Sequence, residues 1–444
     1  MKERLAGLAQ ALKLPDVRKR IMFVMWMFAL YVACAHVPLP GIDKEALAQL
    51  FSGGGFGLGE ILDTFAGGSL KRFSVFALGI MPYINASIIF QLLVMAIPSL
   101  EELQKEGEYG QRKINSWTKY LTVALAMLQA VGMISWFRAG QAFVGGPFMV
   151  AFDVLMMTAG TSFLMWMGDM ITERGIGQGV SLIIFVGIMT RMPQDVAQTM
   201  TMWANEQIGI ANIAFLALIF VATIYGIVKV QQAQRKIPVQ YAKRIKGNKV
   251  YGGQSSFLPI RVNQAGVIPI IFAISIALFP ATIAQFVGNP DVVKSISRIG
   301  ISEDAISNTL FAVVQFTTPG RNGFATLLYF ILVVLFTYFY TAVTFNPEQI
   351  AENLQKNGGA VPGIRPGERT RDYLDKILFR ITLAGALFLG VIAVMQYYVG
   401  TITGVDTFTL VGGTSLLIVV GVALDTMQQI EAQLLMRHYQ GFLA

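Results

Sequence analysis

Residues 323–345 read GFATLLYFILVVLFTYFYTAVTF, 23 positions without one charged side chain. At 1.5 Å of rise per residue, a helix of that length crosses the ~30 Å hydrocarbon core of a bilayer. Working outward in both directions, nine more apolar runs follow the same rule, near 21–37, 76–96, 120–137, 149–170, 178–192, 210–230, 264–286, 377–398 and 408–429. The run at 178–192 is short, and the one at 76–96 is preceded by an odd half-length segment. Of the 444 residues, 54% are hydrophobic and 14% charged, where soluble domains carry about 25% charge. A soluble fold could not hide so much apolar surface, so the bilayer serves as solvent for much of the chain. The runs are continuous rather than alternating, which selects helices over a barrel.

Ten spans put both termini on one side of the membrane. Of the 34 Lys and Arg, 26 fall in the segments on that side and 8 on the other. Basic residues are retained in the cytoplasm, so the termini are expected there. Residues 1–20 carry Lys2, Arg4, Lys13, Arg18, Lys19 and Arg20 and read as an amphipathic segment lying on anionic lipid. No small-x-small site follows the first run, as a cleaved signal peptide requires. The chain divides into an N-terminal half (21–192), an external hinge loop (193–209), a C-terminal half (210–430) and a cytoplasmic tail (431–444). An odd number of spans per half inverts one half relative to the other. The expected fold is therefore all-α, a polytopic membrane protein of ten transmembrane helices in two inverted five-helix halves.

Several chemistries lack their residues. Cys34 is the single cysteine, and His36 and His438 are far apart in sequence, so neither a disulfide nor a metal cluster is expected, and no cofactor. There is no G-x-x-x-x-G-K-S/T phosphate loop and no His-Glu-x-x-His. Gly413-Thr414-Ser415 imitates a nucleophile turn without a nearby histidine. Asp153, Asp169 and Asp425 fall toward helix ends, whereas ion-coupled carriers place carboxylates near the midplane. The expectation is a protein without enzymatic activity, whose directional work draws on a partner's energy.

The cytoplasmic loops invite such a partner. Residues 229–261 hold eight basic side chains and no acidic one, and 239–251 alternate around Gly247-Asn248 as a projecting hairpin. Phosphate of RNA or an acidic protein face would suit it; a merely solvated loop is the plain alternative. The next loop, about 346–376, opens with Asn346 as N-cap and Pro347 in the first helical position. On the opposite side, 51–75 read FSGGGFGLGEILDTFAGGSLKRFSV. Gly53–Gly59 read as an external loop, and 63–73 as a short helix interrupted at Gly67-Gly68. Composition leaves open whether this piece packs on the surface or re-enters the membrane to line a cavity.

Motifs along most of the chain bear on that choice. FAGGSL at 65–70 with FALGIMPYINAS at 76–87, VPLPGID at 37–43, ITERGIG at 171–177, AGVIP at 265–269, FPATIA at 279–284, FNP at 345–347, VPGIRPGE at 361–368 and GGTSLLIVV at 412–420 resemble, in order and spacing, the SecY family of bacterial protein-conducting channels. The resemblance implies a pore ring of Ile80, Ile84, Val180, Ile184, Val267, Ile271, Thr414 and Ile418, spaced i, i+4 in four spans so that each pair shares a helix face. An aliphatic ring excludes water and ions without preferring any side chain of the passing polypeptide. It implies a plug of Asp63, Thr64, Phe65, Ala66, Gly67, Gly68, Ser69 and Leu70, ending near Phe73, that seals the ring from outside. It implies a lateral gate between the second and seventh spans, with Asn85, Gln129 and Asn263 as candidates. Docking falls to Lys243, Arg244, Lys246, Lys249 and Arg365; the family's hairpin tip carries two arginines where this chain has Asn248 and Lys249. The implied setting is the bacterial inner membrane. The implied partners are SecE-like and SecG-like small subunits, the SecA ATPase, the ribosome, signal sequences with their nascent polypeptides, and anionic lipids. The competing readings are a small-solute carrier with a broken helix at 63–75 and a structural or insertase subunit without a pore. A midplane carboxylate and a polar binding pocket would favour the carrier, and the sequence offers neither; the large basic loops favour macromolecular docking.

Overall fold

The computed structural model describes residues 14–43, 45–47, 49, 63, 66–241, 244–246, 249–251, 255–287, 293, 297–298, 302–405 and 413–440. Its helices are α1 (Pro15–Ala35), α2 (Met81–Ala96), α3 (Pro98–Lys105), α4 (Glu108–Ala139), α5 (Pro147–Arg174), α6 (Gly179–Ala204), α7 (Ile210–Gln232), α8 (Ile268–Val287), α9 (Glu303–Thr317), α10 (Gly323–Thr344), α11 (Pro347–Lys356), α12 (Glu368–Thr403) and α13 (Thr414–Gln440). Every expected span coincides with one of them. Among the described residues seven helices are long and apolar enough to cross a membrane alone, and the pair α2–α3, bent by 101°, makes an eighth. The other two expected spans are α1, whose 21 residues begin with the charged Asp16, Arg18, Lys19 and Arg20, and α8, whose 20 residues are interrupted by Pro280.

Boundaries differ from the expected ones where backbone chemistry intervenes. The second span starts at Met81 rather than 76, and 66–80 are a succession of turns rather than a short helix. Gly67, Gly68, Phe73 and Gly79 all have positive φ there, which right-handed helix cannot accommodate. With 16 residues α2 spans about 24 Å, less than the hydrocarbon thickness. The turns precede it, and several of their backbone groups bond within the protein, as from Ser74 N to Ser69 O at 2.9 Å and Ala77 N to Ser74 O at 2.9 Å. The hinge expected at 193–209 is helical as far as Ala204, and α13 carries the tail's chain on to Gln440. The helix α9, capped by Ser302 onto Ala305 N, was not foreseen, because 15 residues at this polarity do not read as a span.

The basic hairpin is longer and better anchored than its sequence pattern implies. β1 (Gln234–Tyr241) pairs antiparallel with β4 (Ser255–Arg261), and β2 (Arg244–Lys246) with β3 (Lys249–Tyr251) at the tip. The second loop joins the first: β5 (Gly359–Ala360) adds to the free edge of β1. Ile237 and Ile260 from the hairpin share an apolar cluster with Phe345, Val361, Leu374 and Leu378. The central core draws on α1, α2, α5, α6, α7, α8, α10, α12 and α13, so residues of both halves meet in one cluster.

Candidate functional site

The four i, i+4 pairs occupy the first turns of four helices. Ile80 is the N-cap of α2 and its carbonyl accepts from Ile84 N at 3.2 Å. Val180 and Ile184 open α6, Val267 immediately precedes α8 with Ile271 inside it, and Thr414 begins α13 with Ile418 one turn on. A glycine with positive φ stands just before each start: Gly79, Gly177, Gly266 and Gly413. Gly413 shows why nothing larger fits: a Cβ there would lie 2.0 Å from the Ile392 carbonyl oxygen. Ile80, Ile84, Ile184 and Ile418 are buried members of the central cluster, with Val180, Val267 and Ile271 packed against it. Thr414 is buried too, its hydroxyl donating to Gln396 Oε1 of α12 at 2.7 Å. Exposures of 1% at Ile80 and Ile418 and 3% at Ile184 show these side chains packed away from solvent.

Of the plug candidates, Asp63 and Ala66–Leu70 are described; Thr64, Phe65 and the Gly53–Gly59 loop lie outside the described residues. The segment is stapled to the end of α1: Leu39 N donates to Phe73 O at 2.8 Å and Val75 N to Val37 O at 3.2 Å. Asp63 Oδ1 accepts from the amides of Leu70 (3.1 Å) and Lys71 (3.0 Å) and so closes the turns on themselves. A Cβ on Gly67 would meet the Gly187 carbonyl oxygen of α6 at 2.8 Å and the Tyr31 hydroxyl of α1 at 3.0 Å; only glycine allows this approach. Leu70 and Phe73 enter a second apolar cluster with Ile134, Phe137 and Met157 of α4 and α5.

Charge appears where none was foreseen. Arg191, counted from the sequence among external basic residues, is 8% exposed. Its Nη1 lies 3.4 Å from Asp63 Oδ2 and its Nε 3.3 Å from Asp195 Oδ1. The signal was present as Arg and Asp spaced i, i+4 at the end of an apolar run, but their plug partner is 128 positions away. Asp153, expected toward a helix end, is fully buried in the second turn of α5, and neither carboxylate oxygen has a partner among the described residues. His36 sits at the C-cap of α1: Arg72 donates to its Nε2 at 2.7 Å, so Nδ1 carries the proton and donates to Val32 O at 2.8 Å.

A groove of about 460 Å³ runs between α2, α4 and α8, lined in part by Leu70 of the turns. Its walls are apolar, except chiefly for Asn85, Gln129 and Ser275. The structure thus brings together the first two gate candidates and adds Ser275, whose hydroxyl has no partner among the described residues. Asn263 is not among the groove's lining; it is buried at the approach to α8, where it donates to Gly266 O at 3.0 Å. Among the docking candidates, the backbones of Arg244, Lys246 and Lys249 lie in the tip hairpin, and Lys243 falls outside the described residues. Arg365 is exposed on a turn held by Thr370, whose hydroxyl donates to Arg365 O at 2.9 Å.

The SecY family model matches residues 74–427. The protein translocase subunit SecY of Streptomyces galbus is 42% identical over 99% of this chain and 100% of its own. The same subunit in Halalkalibacterium halodurans is 44% identical over 96% and 97%. Among solved structures, a protein-conducting channel superposes with a TM-score of 0.64 at 17% identity, covering 96% of each chain. Sec61 from a canine ribosome–channel complex of the endoplasmic reticulum gives 0.61 at the same identity and coverage. With a multi-pass helical fold, a shared central cluster and full-length relatives at this identity, the chain belongs to the SecY family of protein translocase subunits.

Proposed function

We propose that this chain is the membrane channel through which unfolded secretory polypeptides cross a bacterial inner membrane, and from which apolar segments leave sideways into lipid. The observation that carries the reading is the convergence of four helix starts from both halves on one aliphatic cluster. A closed segment packs beside it and an apolar groove runs along it. An aliphatic constriction dewets when empty and deforms around varied side chains when occupied. The groove between α2, α4 and α8 suits an intercalating signal helix. Its few polar side chains contribute only about 0.6 kcal/mol per interhelical hydrogen bond, which suits a seam that must part.

The chain itself catalyses no reaction in this reading. Energy comes from a SecA-like ATPase or a translating ribosome engaged through the united basic loops and Arg365, with SecE-like and SecG-like subunits completing the complex. The cytoplasmic location of both termini rests on the 26-to-8 split of basic residues. Reconstitution into liposomes with such partners tests the proposal. ATP-dependent protease protection of a secretory precursor is expected, and its absence with all partners present would refute it.

A further inference from the structure

The channel reading leaves the buried charges on α6 without a task. The plug lies along one face of that helix. Gly187, Arg191 and Asp195 follow each other at i, i+4, so they share that face. Gly67 rests on Gly187 backbone to backbone, and Asp63, four residues earlier, meets Arg191. Arg191 lies between two carboxylates, Asp63 of the plug and Asp195 of its own helix, all three 8% exposed or less. We propose that Arg191 is the positioning residue of the plug, an ionic latch whose strength sets how hydrophobic a signal segment must be to open the channel.

Two features suit a latch rather than a permanent joint. The Arg191 contacts of 3.4 and 3.3 Å are longer than the 2.7–2.9 Å typical of tight charge-assisted hydrogen bonds. Both contacts keep hydrogen-bond geometry but are stretched, and their Coulombic part is strong only while the site stays dry. Water admitted by a partly displaced plug screens it, so opening proceeds readily once begun. The seat also stores unsatisfied polarity: the hydroxyls of Ser69 and Ser74 are buried with no partner among the described residues, and hydration on opening would satisfy them. Asp195 keeps its partner when the plug leaves, so Arg191 is not stranded in the open state.

The inference rests on the proposed channel function, and its test separates the two. The full-length chain, assembled with its small subunits and a SecA-like ATPase in liposomes, is given a precursor with an intact signal and one with a shortened apolar core. Idle ion leak is measured in parallel. Arg191→Leu leaves two facing carboxylates buried without their cation, which is strongly unfavourable. Leak and the ratio of weak-signal to intact-signal transport should each rise by about tenfold. Asp63→Asn, which spares the Arg191–Asp195 pair, should give a smaller rise in both, and Arg191→Lys should restore the low values. Should Arg191→Leu fail to insert, Asp63→Asn decides alone. An unchanged leak and an unchanged ratio would overturn the latch. A wild-type chain that conducts ions but moves no precursor would overturn the channel proposal instead, while the leak series still decides whether Arg191 holds the plug.

Discussion

Single atoms decide much of how this protein can close. At Gly413 both the backbone, with φ of +61°, and the space, 2.0 Å to Ile392 O, exclude a side chain. Gly413→Ala should therefore cost more than the ~1 kcal/mol of a left-handed alanine alone. A lower midpoint of thermal aggregation in detergent, or failure to accumulate in the membrane, would register it. Ile184→Ala opens a gap in the central cluster, where such truncations typically cost about 2–5 kcal/mol; a raised idle ion conductance of the reconstituted channel is expected. Asn85→Leu or Gln129→Leu removes one of the groove's few polar groups, and the apolar threshold for export of a graded series of signal sequences should shift. Seven of the eight candidate ring positions lie in or against one cluster, and all eight were named from the family resemblance, because an isoleucine in an apolar span otherwise reads as plain packing. Ser275 and Arg191 were not, since a serine in an apolar span and a charge near a helix end look ordinary until the facing element is known.

At the scale of elements, the two basic loops behave as one. β5 has only two residues, too few for any alternation to mark a strand, yet it ties the 359–361 turn to β1 and so fixes Arg365 relative to the hairpin. Arg365→Glu is expected to block translocation while leaving the protein's own membrane insertion intact, as measured by export of a reporter and by membrane fractionation. Lys246→Glu with Lys249→Glu should weaken ribosome binding by roughly tenfold near 0.05 M salt, with the difference shrinking as salt rises. Co-sedimentation across a salt series checks this, and a salt-independent loss would argue for a folding defect in the hairpin. The broken character of the second span belongs to this scale too. Its half-length prelude was legible as glycine-rich and charged but read as a short interrupted helix; the turns were missed because positive φ at Phe73 is imposed by its neighbours and not by its type.

For the whole molecule, hydropathy and charge determined most of what is general. Apolar runs of about 20 residues must be helices where no water can satisfy the backbone, and the lopsided basic residues choose an orientation. The absence of phosphate-binding and metal-binding patterns narrowed the chemistry, and the ordered motifs pointed to the family. What only the tertiary structure decided is how distant parts meet: which turns lead into the short α2, which loops merge into one sheet, and which α6 charge meets Asp63. Alternation and hydropathy are local properties, and they report the environment each segment prefers. The Asp63–Arg191 contact spans 128 positions and exists because two backbones meet at Gly67 and Gly187, an approach encoded by the missing Cβ of Gly67 and by the packing of the whole bundle rather than by any periodicity of the chain.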